Sequence, residues 1–428
     1  MQIALDPLVQ LAAHGQERPP GRLLGRGQPR VGAHLRKCRA KVIESSPFPA
    51  AASGVGAGVE TGPVTSAVST VEIAALDEAA ALAARGAGTA LPNPVVGCVL
   101  LDPAGGVVGR GWHERAGGPH AEVVALAEAG AAAAGSTAVV TLEPCNHTGR
   151  TGPCSAALLA AGVVRVLVAV RDPFLPAAGG IEHLRAAGVE VVDLSAVGAD
   201  DPAAAAAVVA SRQVNRVWLT AVARQRPYVT VKAGMTLDGR VAAPDGTSRW
   251  ITSAESRADV HRLRGEVDTM LVGVGTVLAD DPALTARGAD GRPTGRQPLR
   301  VVLDSAGRTP AGARVRDDAA PTWIVTADET PATDTGLDLA GVLAELYRRG
   351  RRHVLVEGGP RVAASFFDAG LVDEALFYLA PTVLGAGTPA VAGGAAGTLT
   401  DRRDGELVEV TRLGPDVRLR VAFPSAGR

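Results

Sequence analysis

The sequence predicts an α/β protein built from two sheet-centred units. Three observations carry that reading. Short apolar runs rich in Val and Leu alternate with Ala- and Arg-rich runs along most of the chain. The alternation breaks over residues 195–226, which are Ala-rich and helical in character. It then restarts at Tyr228, and 428 residues are enough for two domains.

Residues 1–70 stand apart. They contain Pro19-Pro20, repeated Gly and a basic run from Arg18 to Lys41, with no sustained helix or strand period. A disordered or mis-started extension is expected there; an Arg-rich transit peptide is the weaker alternative. A first unit is expected over 71–195. Ile73–Arg85 reads as an Ala-rich helix closed by Gly86 and Gly88. Val95–Leu101 and Val107–Gly111 read as a strand pair around the turn Asp102-Pro-Ala-Gly-Gly. Helices follow at Ala121–Ala129, Ser155–Ala161 and His183–Ala187, with strands at Ala138–Leu142, Val164–Val170 and Val189–Leu194. Residues 196–226 form a helical connection. The second unit, 227–425, is expected to hold strands at Tyr228–Lys232, Thr269–Val274, Leu299–Asp304, Thr322–Thr326, His353–Glu357, Glu374–Leu379 and Val417–Phe423. Its helices are expected near Ser253–Gly265, Leu339–Arg349 and Arg361–Ala369.

Composition narrows the function classes. With 43 basic and 44 acidic side chains, the net charge of −1 argues against a protein that coats nucleic acid. No apolar run is long enough to span a bilayer, so no membrane partner is expected. Four cysteines exclude a disulfide scaffold and fit a reducing, cytoplasmic setting. Lys occurs only at 37, 41 and 232; every other basic residue is Arg. A single Arg therefore carries little information, whereas Lys232, inside an expected strand, needs a reason.

The strongest local signal is Pro119-His120-Ala121-Glu122, followed by Thr141-Leu-Glu-Pro-Cys145 and then Cys154. One His and two thiolates supply three zinc ligands and leave the fourth position open. Zinc lowers the pKa of a bound water enough to supply hydroxide at neutral pH. Glu122, at a helix start two residues past the ligand, is placed to shuttle protons. Cys98, inside an apolar strand, reads as core. His-x-Glu with a downstream Pro-Cys and a further Cys is the signature of zinc nucleobase deaminases. Eight residues separate the two cysteines here instead of the common two.

With that long spacing, Thr141-Leu-Glu-Pro-Cys145-Asn-His-Thr-Gly-Arg-Thr-Gly-Pro-Cys154 resembles the deaminase domain of bifunctional riboflavin-biosynthesis proteins. Pro92-Asn93-Pro94-Val-Val-Gly97 is similar to that family's substrate loop. The resemblance runs from about residue 73 to 424. It implies a cytidine-deaminase-like, three-layer α/β/α first domain, with His120, Cys145 and Cys154 as Zn2+ ligands and Glu122 as proton shuttle. It further implies Asn93, His147 and Arg150 as substrate contacts.

The second unit has no Gly-x-Gly-x-x-Gly opening, so a Rossmann site is not expected. Its glycine-rich element is Glu357-Gly358-Gly359-Pro360, between a strand and a helix, where backbone N–H groups can hold a pyrophosphate. Lys232-Ala-Gly-Met-Thr-Leu-Asp-Gly-Arg240, Ser248-Arg-Trp-Ile-Thr-Ser253 and the block from Gly273 to Arg287 occur in that order. Together they resemble the riboflavin-pathway reductase domain, whose fold is similar to dihydrofolate reductase. The resemblance implies NADPH contacts at Gly234, Trp250, Thr276, Asp280, Ser305 and the turn Gly359, Pro360, Arg361, Val362, Ala363, Ala364 and Ser365. It implies substrate contacts at Ser248, Arg264, Leu284, Arg287 and Glu357. We read Lys232 as catalytic or ribose-binding, from its isolation among arginines.

The implied chemistry is hydrolytic deamination of 2,5-diamino-6-(5-phosphoribosylamino)pyrimidin-4-one, then NADPH-dependent reduction of the ribosyl chain. The partner is then a small phosphorylated pyrimidine, and homo-oligomerisation is left open. The alternatives are a nucleic-acid or nucleoside deaminase with an unrelated second domain, and a non-catalytic zinc scaffold.

Overall fold

The computed structural model describes residues 68–148, 152–197, 201–288, 290–329, 332–333 and 336–423. The expected extension before residue 68 and the expected contact Arg150 lie outside them.

Helix α1 (Thr70–Ala84) starts on a capping box. Ser69 Oγ accepts from the Glu72 N–H at 3.2 Å, while Glu72 accepts from the Ser69 N–H at 2.8 Å. Strands β1 (Gly97–Leu101) and β2 (Val107–Trp112) pair antiparallel around the Asp102 turn. Asp102 Oδ1 closes that turn by accepting from Ala104 and Gly106 N–H. Then come α2 (Ala121–Ala129), β3 (Thr137–Val140), α3 (Cys154–Ala160), β4 (Arg165–Val168), α4 (Gly180–Ala186), β5 (Glu190–Asp193) and the short α5 (Leu194–Val197). The sheet order is β2-β1-β3-β4-β5. β3, β4 and β5 run parallel, joined by crossover helices.

Strand alternation sorts the apolar residues into two layers. Val99, Leu101, Val139 and Leu167 face α1; Cys98, Leu100, Val140 and Val166 face the layer containing α2, Leu158 of α3 and Leu184 of α4. The result is the three-layer α/β/α unit expected from the sequence. The connecting segment forms α6 (Pro202–Val214) and α7 (Arg216–Arg224). Ala207 and Trp218 of these helices are buried in the α1-side core, so the segment is packed onto the first sheet.

Glycines let α2 sit close on this sheet. A Cβ at Gly111 would lie 2.1 Å from the Ala121 carbonyl oxygen, at the first turn of α2. Gly111→Ala is therefore expected to destabilise the protein by about 1–3 kcal/mol through overpacking. Thermal unfolding checks this; an unchanged Tm would contradict the close helix–strand approach.

The second unit begins with β6 (Tyr228–Thr236) and β7 (Arg240–Ala242), then α8 (Ala254–Glu266), β8 (Thr269–Gly273), α9 (Val274–Asp280), β9 (Leu299–Leu303) and β10 (Thr322–Val325). A small ribbon pairs β11 (Ala332–Thr333) with β12 (Gly336–Leu337). After α10 (Leu339–Arg348) come β13 (His353–Val356), α11 (Pro360–Asp368), β14 (Glu374–Ala380), β15 (Thr388–Pro389), β16 (Glu406–Leu413) and β17 (Asp416–Ala422). The main sheet runs β10-β9-β8-β13-β6-β14-β17-β16. Six neighbouring strands are parallel, from β10 to β14; β17 and β16 close the sheet antiparallel. Leu343, Leu346 and Phe366 cover one face, and Val274, Val277 and Val315 the other.

The sequence reading missed β16 and α9 and ended β6 four residues early. β16 is an edge strand whose Glu406, Glu409 and Arg412 break any apolar run. β6 continues through Gly234, a residue that weakens a strand signal.

Candidate functional site

The metal-type trio is assembled as expected. His120 is the residue before α2, Cys154 is the first residue of α3, and Cys145 follows β3. Their ligand atoms all lie within 4.8 Å of one another. His120 Nδ1 is 3.5 Å from Cys145 Sγ and 3.3 Å from Cys154 Sγ. The Cys154 backbone N–H donates to Cys145 Sγ at 3.4 Å, as a helix start does for a thiolate. Hydrogen bonding from Cys154 pulls the Cys145 thiol down to about 4 and pushes its own up. The soft N/S donor set suits zinc, which binds cysteines as thiolates. Both cysteines are buried, so the trio fits a resident metal.

Glu122 is buried in the first turn of α2 and lines the same cavity, which measures about 490 Å³. Asn93 and His147 also line it. The sequence reading missed His113. Its Nδ1 bonds the Pro119 carbonyl at 2.9 Å, its ring sits edge-on to His120 at 5.2 Å, and its Nε2 lies 3.1 Å from Asn93 Nδ2. With Nδ1 donating, Nε2 must accept from the Asn93 amide, which leaves Asn93 Oδ1 for a ligand. Asp172 was missed as well. Burial pushes its carboxyl up to about 6, against a 2.7 Å bond from the Phe174 N–H. Glu143 holds that loop by accepting N–H bonds from Asp172, Gly179 and Ile181. A Glu in the sequence signal Leu-Glu-Pro-Cys was visible; its partners, some 30 residues away, were not.

A second group gathers at the carboxyl ends of the parallel strands, where open α/β sheets bind ligands. Glu357 directly follows β13 and takes a bidentate pair from Arg264 of α8, with both N–O distances 2.8 Å. Burial alone would raise the Glu357 carboxyl, but Arg264, with Lys232 and His261 nearby, holds it at about 2. Arg264 and Glu357, expected as separate substrate contacts, thus bind each other. Lys232 in β6 is the third member. Burial lowers its ammonium, Glu357 opposes that, and its Nζ lies 5.8 Å from the Tyr378 ring. His261 was not anticipated; it precedes Arg264 by three residues on α8, a spacing that shares one helix face.

The remaining residues fall around this group. Gly234 is on β6, with Thr252 Cγ2 3.2 Å from where a Cβ would sit. Ser248 is half-buried, and Trp250 is 71% exposed with the Arg257 guanidinium 4.5 Å from its ring. Thr276 and Asp280 lie in α9, where Asp280 accepts from Arg249 at 3.0 Å. Ser305 is in the turn after β9. Gly359 caps α11 and Pro360 opens it, so the first-turn N–H groups of Arg361 and Val362 have no helical acceptor. Ala363 and Ala364 face the core, and Ser365 Oγ bonds back to the Arg361 carbonyl. Leu284 is buried with Val272 and Val302, at a φ of 49°. Arg287 is half-buried and bonds Thr285 Oγ1 at 3.3 Å.

A buried His/Cys/Cys trio with an adjoining helical carboxylate, in a three-layer fold, defines a zinc-deaminase type of centre, here joined to a second α/β unit. Residues 71–170 match the cytidine and deoxycytidylate deaminase zinc-binding region, and residues 227–419 match the RibD C-terminal domain. The chain is 43% identical over 352 residues to riboflavin biosynthesis protein RibD of Mycobacterium tuberculosis, covering 81% of this chain and 97% of that one. Among solved structures it is similar to RibD of Acinetobacter baumannii (TM-score 0.73, 33% identity, 83% of this chain and 99% of that one). It is similar also to a diaminohydroxyphosphoribosylaminopyrimidine deaminase/5-amino-6-(5-phosphoribosylamino)uracil reductase of Thermotoga maritima (TM-score 0.72, 29% identity, 83% and 99%). The chain belongs to the RibD family of riboflavin biosynthesis proteins. No helix of the described residues is long and apolar enough to cross a membrane.

Proposed function

We propose that this chain is a bifunctional riboflavin-biosynthesis enzyme. It deaminates 2,5-diamino-6-(5-phosphoribosylamino)pyrimidin-4-one and then reduces the ribosyl chain to give 5-amino-6-(5-phosphoribitylamino)uracil. The observation that carries it is the presence, in one chain, of the His120/Cys145/Cys154 trio with Glu122 and of the Lys232/Arg264/Glu357 group. Residues 71–195 carry deamination, 227–425 carry reduction, and 196–226 brace the first unit.

Zinc held by the trio supplies an activated water, and NADPH supplies hydride. The chain's own residues do the rest. Glu122 is placed to take a proton from the water and give it to the ring nitrogen, and then to carry the proton of the new hydroxyl to the amine, which leaves as ammonia. His113 fixes the Asn93 amide, whose free carbonyl oxygen accepts from the pyrimidine. In the second site, bound NADPH would supply hydride for the ribose C1 in its open Schiff-base form. The Arg264–Glu357 pair is internally neutral, so Lys232 is left as the cation free to donate to a ribose oxygen. The first-turn N–H groups of α11 suit the cofactor pyrophosphate. The cell compartment we assign is the cytoplasm, on the low cysteine count.

Metal removal tests the division of labour. Dialysis against a chelator is expected to abolish ammonia release and leave NADPH oxidation, assayed with the deaminated pyrimidine, unchanged. Zinc addition restores the first activity. Loss of both activities together would contradict two separate sites.

A further inference from the structure

The loop between α9 and β9 carries Leu284 and Arg287, both read as substrate contacts of the reductase. Residues 281–286 belong to no helix or strand, and an isolated bridge joins Arg287 to Pro293. Asp281 and Leu284 sit at φ of 39° and 49°, in the left-handed region. A leucine there is strained, and such a backbone persists only where its surroundings hold it. The amino end of the loop is held from the segment after β9. Asp281 Oδ1 accepts from the Arg314 N–H at 2.8 Å, and the Ala283 carbonyl accepts from Arg300 Nη1 at 3.3 Å.

The carboxyl end has a different holder. Gln297, two residues before β9, sets its side-chain amide against the backbone of Ala286. Its Oε1 accepts from the Ala286 N–H at 2.9 Å, and its Nε2 donates to the Ala286 carbonyl at 3.0 Å. A neighbouring strand would offer the same donor and acceptor. Nε2 also donates to the Thr294 carbonyl at 2.7 Å. Both amide hydrogens and the oxygen are then engaged, which leaves the amide one workable orientation. Ala286 is fully buried. Its carbonyl has a second donor in the Thr294 N–H at 3.0 Å, but among the described residues its N–H has Gln297 alone. Losing the amide would orphan a buried donor. Arg287 is the next residue. Burial lowers the His261 imidazole and the Arg264, Arg287 and Lys232 charges add to that, which sets Arg287 beside the reductase group. We propose that Gln297 is a positioning residue of the reductase. Its amide stands in for a neighbouring strand and fixes the loop that presents Leu284 and Arg287 to the phosphorylated pyrimidine. It acts through that loop and not by touching substrate. This rests on the reductase reading above.

The test follows NADPH oxidation by the full-length chain with the deaminated, phosphorylated pyrimidine. Gln297→Met keeps the stem and removes both bonds to Ala286, and its KM for the pyrimidine is expected to rise about tenfold. The kcat and the KM for NADPH stay within about twofold, as for a loss of uniform binding. Ammonia release by the same sample stays at the wild-type rate and reports folding. Arg287→Met raises the same KM, and adding Gln297→Met to it raises that KM by no more than about twofold further, because the two residues act as one unit. A merely structural role would give the same factor in both backgrounds. Should Met disturb folding, Gln297→Glu, which keeps the acceptor for the Ala286 N–H and loses the donor, is judged by the same criteria. A folded variant with wild-type KM for the pyrimidine, an equal factor in the two backgrounds, or a wild-type KM in Arg287→Met overturns the proposal. A wild-type chain that oxidises no NADPH with this pyrimidine overturns the reductase reading instead, so the two failures are distinct.

Discussion

Glu122→Gln is expected to reduce ammonia release by about 10²–10⁴-fold, the usual contribution of a positioned general base and acid. Zinc content and NADPH-dependent reduction are expected to stay at wild-type levels. The reason is geometric. Glu122 is buried in the first turn of α2, beside the trio, and it is not one of the three ligand residues. Gln keeps the volume and the hydrogen-bonding shape, so α2 should remain seated on Gly109 and Gly111 of β2. The check is a pair of assays on one preparation, ammonia release and metal analysis. A variant that keeps zinc and still deaminates at the wild-type rate would exclude Glu122 as the proton shuttle and revive the reading of a non-catalytic metal scaffold.

Lys232→Met is expected to cut reduction by roughly 10²-fold or more while sparing deamination. Met matches the length of the Lys stem, and the Arg264–Glu357 pair that flanks it is complete without the ammonium. The loss should therefore be chemical and not structural. NADPH oxidation with the deaminated pyrimidine measures the effect, and ammonia release from the same sample controls for folding. Unchanged reduction would refute a catalytic role for Lys232. The Arg264→Met variant is a useful contrast, because it would leave the buried Glu357 carboxylate without its partner and so damage the fold as well.

These expectations were legible in the sequence to different degrees, for physical reasons. α2 was read with its observed limits because His120 and Gly130 bracket a short Ala-rich run. The trio was legible because zinc chemistry demands specific ligand types, and the helix start at Cys154 follows Pro153. Lys232 was legible through one oddity, a strand Lys in a chain that otherwise prefers Arg, whereas Arg264 and Glu357 were named by the resemblance to the reductase domain. What escaped was non-local. The bond from His113 to Asn93 spans 20 residues, and the Arg264–Glu357 pair spans 93. No periodicity or motif spacing reports contacts of that kind. β16 escaped for another reason, since an edge strand facing water carries charges where a buried strand carries Val and Leu.

On the proposed function, one chain performs two successive reactions on one phosphorylated pyrimidine. The most direct measurement supplies the purified, zinc-loaded chain with 2,5-diamino-6-(5-phosphoribosylamino)pyrimidin-4-one and follows ammonia and NADPH together. Ammonia release is expected to lead, NADPH oxidation to follow with a lag, and each to reach one equivalent of substrate. NADPH oxidation without ammonia release, or ammonia release with no NADPH oxidised, would contradict it.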